Sequence, residues 1–229
     1  DSLIFDNGFA RLYQADARRL PIKDESVDCV VTSPPYWGLR DYGLEEQGIG
    51  LEPTPEAFCA NMVEVFREVW RVLKPTGTVW MNLGDSYSGG GGAHKPEHAN
   101  PGLSKSAERN GVPTSERVVM SGLKPKDLVG IPWRVAFALQ SDGWYLRSDI
   151  IWSKPNPMPE SVTDRPTKAH EYIFLLTKSP KYYYDADAIR EPGLDGTHNK
   201  RSVWEIATQP YPEAHFATFP EDLVEPCIL

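Results

Sequence analysis

The 229-residue sequence holds only three cysteines, Cys29, Cys59 and Cys227, and no two share the close spacing of zinc or redox sites. It has no apolar run long enough to cross a bilayer and no basic-then-apolar opening of the kind that marks a secretory leader. A reduced, intracellular protein is the simplest reading. There is no internal repeat. An overall positive charge is also missing: the formal net charge is −8, which argues mildly against a nucleic-acid partner. That total hides a split. Residues 86–126 carry six Lys/Arg against three Asp/Glu, whereas residues 185–229 carry three against nine. A polyanion meets the local surface rather than the average, so nucleic acid is disfavoured without being excluded. What is present is 40% hydrophobic and 24% charged residues, the composition of a soluble globular chain. The length suits one large domain, or one domain with an elaborate insertion.

Residues 9–14 alternate as a short strand, and residues 27–31, Val-Asp-Cys-Val-Val, read as a strand buried on both faces. The clearest helix spans 55–73. Thr54 is a good N-cap, Pro55 suits the first helical position, and Glu56 faces the positive end of the dipole. Phe58, Met62, Val65, Phe66, Val69, Val72 and Leu73 recur three and four apart, which gives one apolar stripe. Lys74-Pro75-Thr76-Gly77 stops the helix, and residues 78–83 read as the next strand. Strand, helix, strand in this order predicts a parallel crossover unit. Residues 86–125, with four consecutive glycines and few apolar side chains, read as a flexible loop. No Lys-Ser/Thr follows the glycines, so the phosphate-cradle reading is the weaker one. A second helix is expected from about Lys126 to Leu139, and a strand over 144–154. Residues 170–185 read as a β-hairpin turning at Ser179-Pro180, and 220–229 as the start of a helix.

The stretch Thr32-Ser33-Pro34-Pro35-Tyr36-Trp37 follows the strand at 27–31. Two prolines offer no N–H to a ladder, so the strand must end there. Such an edge is either an ordinary strand exit or a pocket with a fixed carbonyl as floor and an aromatic ring as wall.

Ser33-Pro34-Pro35-Tyr36 resembles the signature of the DNA amino-methyltransferases, which methylate cytosine N4 or adenine N6 from S-adenosylmethionine. Other blocks resemble the family in the same order: Asp16-Ala17, the Leu73-Lys74-Pro75-Thr76-Gly77 turn with its strand, and Asn82-Leu83-Gly84-Asp85-Ser86-Tyr87. Further along come Trp152-Ser153-Lys154-Pro155-Asn156, His170-Glu171-Tyr172 and Ala214-His215-Phe216-Ala217-Thr218-Phe219-Pro220. The resemblance implies an α/β, Rossmann-like methyltransferase fold, with a mixed, mostly parallel sheet and the hairpin on its C-terminal side. It implies a single domain, 1–229, whose 86–125 loop could serve as a target-recognition insertion. Its expected localisation is the cytoplasm of a bacterium or archaeon, or of a phage host.

The same resemblance assigns roles. An exocyclic amine is a poor nucleophile because its lone pair is delocalised into the ring. The Ser33 side chain and the Pro34 carbonyl would accept its hydrogens and aim the lone pair at the methyl sulfonium, so positioning carries the catalysis. Tyr36 completes this catalytic set, and Pro35 and Trp37 would wall a base flipped out of double-stranded DNA. Asp16, Ala17, Thr32, His215, Phe216 and Thr218 would contact S-adenosylmethionine. Lys95, Arg109, Arg117, Lys154 and Arg165 would suit DNA phosphates, with a solvated face as the equal alternative for the loop cations. A cognate restriction endonuclease is a partner the resemblance allows.

Other candidates carry less. Pro226-Cys227 resembles the nucleophile of carbon-5 cytosine methylation, but it sits in an acidic stretch and reads as a structural cysteine. His170-Glu171 lacks a second histidine at helical spacing, so no metal site is expected. Tyr182-Tyr183-Tyr184 reads as packing. One family block, Asp-Pro-Phe-x-Gly-Ser-Gly-Thr, is not in the sequence and is expected beyond Leu229. The domain is therefore expected to be incomplete in this chain. Ser at the first motif position favours cytosine N4, with adenine N6 as the alternative. A non-catalytic DNA-binding homologue, or methylation of RNA or a protein amide, are the readings from other classes.

Overall fold

The structure is a computed structural model that describes residues 2–38, 48–88, 122–209 and 218–229. β1 (Ser2–Asp6) and β2 (Arg11–Gln14) form an antiparallel ribbon, its turn tied by Asn7 Oδ1 accepting from the amides of Phe9 (3.0 Å) and Ala10 (2.7 Å). The chain then enters a five-stranded sheet through β3 (Val27–Thr32). α1 (Pro55–Val72) carries it across to β4 (Leu73–Leu83), parallel to β3, which is the crossover that the sequence predicts. α2 (Ile131–Ser141), β5 (Tyr145–Ser153) and β6 (His170–Thr177) follow. Next come the small hairpin β7 (Glu191–Gly193) and β8 (Gly196–His198), then β9 (Val203–Glu205) and α3 (Glu221–Ile228). The strand order of the main sheet is β3-β4-β6-β5-β9.

α1 forms for local reasons. Thr54 Oγ1 accepts from the Ala57 amide at 3.1 Å, Pro55 occupies the first turn, and Phe58, Met62, Val65, Phe66, Val69 and Val72 all face inward. With α2 they cover one face of the sheet, packing on Val79, Met81 and Leu83 of β4 and Phe174 and Leu176 of β6. The alternate residues, Trp80, Ile150, Trp152, Ile173 and Leu175, face the other side, where Trp204 and α3 close over them. Arg67 joins α1 to Asp142 at the end of α2, at 2.5 Å. An ion pair that exposed contributes about 0–1 kcal/mol, against about 1.5–3 kcal/mol for each buried side chain such as Phe66. Apolar burial therefore decides how the helix sits.

Four expectations change. Residues 170–185 are not a hairpin: β6 pairs with β4 on one edge and β5 on the other, which leaves no edge for residues 181–185 to join. Tyr182–184 consequently lie outside any strand, with Tyr183 exposed and its amide donating to Thr76 O (2.9 Å). The main sheet has two parallel pairings, β3·β4 and β5·β9, and two antiparallel ones, so it is mixed rather than mostly parallel. β3 is half-buried rather than buried on both faces, since among the described residues it pairs with β4 alone. α2 begins at Ile131 rather than Lys126, because Lys126 (φ 73°) and Gly130 (φ 78°) adopt left-handed backbone that a helix cannot contain.

Of the 86–125 loop, residues 89–121 lie outside the described residues. Its two roots are clamped together: the Ser88 amide donates to Asp127 O (2.8 Å), that of Lys126 to Ser88 O (2.7 Å), and that of Val129 to Ser86 O (2.9 Å). Among the described residues no helix is long and apolar enough to cross a membrane.

Candidate active site

β3 delivers Thr32 opposite Met81 of β4, and Ser33 to Tyr36 leave the sheet from that end. The ring of Tyr36 leans on Gly84 just past β4: a Cβ built at Gly84 would lie 2.5 Å from its Cε2. Only glycine admits the ring there. The Tyr36 hydroxyl reaches Glu171 Oε2 at 2.6 Å and Asn82 Oδ1 at 2.9 Å, and Ser33 Oγ lies 3.3 Å from the same oxygen. Asn82 is itself oriented by donating Nδ2–H to Tyr172 O (3.1 Å). Glu171 is paired on its far side by the ammonium of Lys154, which also sits 4.1 Å over the Trp152 ring.

Strand parity explains this convergence. Asn82 on β4, Glu171 on β6 and Lys154 beyond β5 continue the rows of Trp80, Ile173 and Trp152, so all three face the same side of the sheet at one end. The motif therefore forms a polar pocket, not a bare strand exit.

Its neighbours are held firmly. Trp37 donates its indole N–H to Glu52 O (2.9 Å) and packs on the apolar cluster beneath α1, so its ring is a fixed wall. Pro35 lies against Gly50, whose amide is held by Glu52 Oε2 at 2.9 Å. Asp85 Oδ1 accepts from the amides of Ser86, Gly130 and Ile131, each at 2.9 Å. It thus caps α2, whose own N-cap, Gly130, has no side chain to do so. Lys168 stands nearby, pushed below the ordinary lysine range by burial against the pull of Asp85 and Glu171.

The remaining sequence candidates separate. Asp16 and Ala17 are exposed after β2, and the Asp16 carboxylate is held by Arg18 at 2.8 Å, which lowers its pKa. Thr32 is half-buried and Thr218 exposed, whereas His215 and Phe216 lie outside the described residues. Lys95, Arg109 and Arg117 lie outside them too. Lys154 does not stand ready for phosphate: its side chain is only 17% exposed and is engaged by Glu171. Arg165 is similarly committed, to Glu160 at 2.7 Å and to the Tyr87 ring at 4.1 Å. Cys227 is buried, its thiol donating to Leu223 O (3.2 Å), and burial pushes its pKa up to about 12. It is a structural cysteine.

The sequence reading assigned no role to Asn82, Asp85 or Glu171. The signal was there: Asn82 and Glu171 are polar residues at inward positions of otherwise apolar strands, where an unpartnered group would be costly.

Comparison with known proteins places this arrangement. The profile of the DNA methylase family matches residues 27–229. The chain is 56% identical to the Type II methyltransferase M.Cfr9I of Citrobacter freundii over 226 residues, 96% of this chain and 72% of that protein. It is 54% identical to M.SmaI of Serratia marcescens over 212 residues, 91% of this chain and 70% of that protein. Among solved structures, the fold is similar to the PvuII DNA methyltransferase (cytosine-N4-specific), with TM-score 0.64 and 17% identity over 95% of this chain and 68% of that one. It is also similar to the DNA modification methylase TTHA0409 of Thermus thermophilus complexed with S-adenosyl-L-methionine. There the TM-score is 0.52 and the identity 23%, over 92% of this chain and 70% of that one. With a family match over most of its length and relatives above half identity, the chain belongs to the DNA methylase family of N6/N4 methyltransferases.

Proposed function

We propose that this chain forms the target-base half of a Type II DNA methyltransferase that methylates an exocyclic amine, cytosine N4 in preference to adenine N6. The observation that carries the reading is the Ser33–Tyr36 exit of β3, converted by Asn82 and Glu171 into a rigid polar pocket. The preference for cytosine rests on serine, rather than aspartate, at the first motif position.

S-adenosylmethionine is the methyl donor of the family. The donor set present here fits a nucleoside: Asp16, kept ionised by Arg18, offers two acceptor oxygens, and Thr32 and Thr218 add hydroxyls. When bound, the cofactor supplies an electrophilic methyl on a sulfonium. The chain supplies position. Ser33 Oγ and the Pro34 carbonyl accept the two hydrogens of the target amine, which localises its lone pair and directs it. Tyr36, backed by Gly84, presents a ring face on which the flipped base stacks, and Pro35 and Trp37 wall the pocket. The positive excess that contains Lys95, Arg109 and Arg117 is the sequence feature suited to the DNA backbone. Lys154 and Arg165 are left out of that role because each already has an internal partner.

The test is incubation of the full-length protein with tritiated S-adenosylmethionine and unmethylated duplex DNA, followed by mass spectrometry of the digested nucleosides. N4-methylcytosine supports the proposal, and N6-methyladenine moves the target base. Intact DNA binding without any methylated nucleoside identifies a non-catalytic homologue. Ser33→Ala is expected to abolish transfer while leaving DNA affinity unchanged.

A further inference from the structure

Glu171 and Lys154 are 19% and 17% exposed, deep for an ion pair, and desolvating two charges is costly unless they serve something else. They are not needed to join β5 to β6, since the ladder already pairs Ser153 with His170 and Trp152 with Glu171. What the pair reaches is Tyr36. A phenol has one hydrogen to donate, and two acceptors stand before it: Glu171 Oε2 at 2.6 Å and Asn82 Oδ1 at 2.9 Å. The nearer, ionised acceptor makes the stronger bond and takes it. The phenol oxygen is then left as acceptor for Ser33 Oγ–H at 3.3 Å. A serine that gives its hydrogen to Tyr36 keeps its lone pairs for another donor.

We propose that Glu171 is a positioning residue for methyl transfer. Acting through Tyr36, it sets the direction of a hydrogen-bond chain, Ser33 to Tyr36 to Glu171, so that Ser33 presents lone pairs to the target amine. Lys154 anchors the other carboxylate oxygen. This rests on the reading of Ser33 as an acceptor for the amine.

Substitution by glutamine makes the idea testable, because it preserves shape and inverts polarity. Lys154 has only donors, so it would claim the single amide oxygen of Glu171→Gln. The amide N–H₂ would then face Tyr36 and become a donor to the phenol. With the chain reversed, Ser33 would turn its own hydrogen toward the amine hydrogens it should accept. Glu171→Asp shortens the arm but keeps the sign.

The experiment measures kcat and KM of the full-length protein with tritiated S-adenosylmethionine and unmethylated bacterial genomic DNA. Wild type, Glu171→Gln, Glu171→Asp, Tyr36→Phe and the double variants are compared, with cofactor binding as the check on folding. Glu171→Gln is expected to lower kcat by about tenfold or more with both KM values nearly unchanged, and Glu171→Asp to lose less. In the Tyr36→Phe background, Glu171→Gln should add less than about threefold, because the residue it acts through is already gone. Should Glu171→Gln fail to fold, the cycle of Glu171→Asp with Tyr36→Phe carries the same test of coupling. The proposal is overturned by near-wild-type kcat in Glu171→Gln, by an aspartate as damaging as the glutamine, or by effects that simply multiply. Absence of transfer by wild type overturns the methyltransferase reading itself, and this inference with it.

Discussion

Gly84 and Tyr36 come from different strand ends and touch so closely that a Cβ on Gly84 would lie 2.5 Å from ring atom Cε2 and 2.8 Å from Cδ2. The ring is also pinned at its far end by Glu171 and Asn82, so it cannot swing aside without breaking those bonds. Gly84→Ala is therefore expected to cost about 1–3 kcal/mol in strain, the range for overpacking a filled site. It should also lower methyl transfer well beyond its effect on folding, since the displaced ring is the proposed stacking surface. Urea unfolding and the transfer assay on one sample check both parts. Wild-type transfer from a stable Gly84→Ala protein would show that the ring does not set the pocket.

Asp85 gives α2 the cap its own sequence lacks, with one oxygen facing three amides. Asp85→Ala removes all three and should destabilise the protein by about 1–2 kcal/mol, the upper range for an N-cap. Asp85→Asn keeps an acceptor oxygen and should cost less. Chemical denaturation of the two variants orders them. Equal stability of Asp85→Ala and wild type would remove the cap from the account.

Burial holds the pKa of His170 below its usual 6.5, and the nearby positive Lys168 acts in the same direction, against the weaker pull of Glu171. The folded state thus prefers the neutral ring. In the unfolded chain His170 binds its proton more readily, so this contribution to stability is fully present above about 6.5 and declines as the pH falls toward the folded midpoint. An NMR titration of His170 should give a midpoint below 6.5 in the folded protein and a higher one in urea. A folded midpoint above 6.5 would contradict the packing described for the start of β6.

The two buried thiols should be inert. Desolvation pushes Cys59 to about 11 and Cys227 to about 12. At pH 8 the thiolate fraction of either is then about one in a thousand or less. A disulfide reagent at about pH 8 should label neither residue in the native protein on the timescale of a free thiol, and should label both after unfolding in urea. Rapid native labelling of Cys227 would revive it as a reactive group.

What the sequence by itself determined is local. The α1 stripe, its Thr54 cap, the parallel crossover and the proline exit of β3 depend on residues within a turn or a strand of one another, so periodicity and capping rules reach them. Ser33-Pro34-Pro35-Tyr36, with the blocks that follow it, was enough to point to the family.

Tertiary structure decided what depends on pairing across long separations. Residues 170–185 have every local mark of a hairpin, yet β6 is a central strand because β4 and β5 take both its edges, and edge availability is a property of the whole sheet. The pocket follows the same logic. Tyr36 meets Asn82 across 46 positions and Glu171 across 135, a meeting set by strand order and register. Lys154 and Arg165 read as phosphate contacts because a cation's sequence does not reveal its counter-ion. Only the folded register put a carboxylate beside each and turned Lys154 inward, toward the site it helps to build.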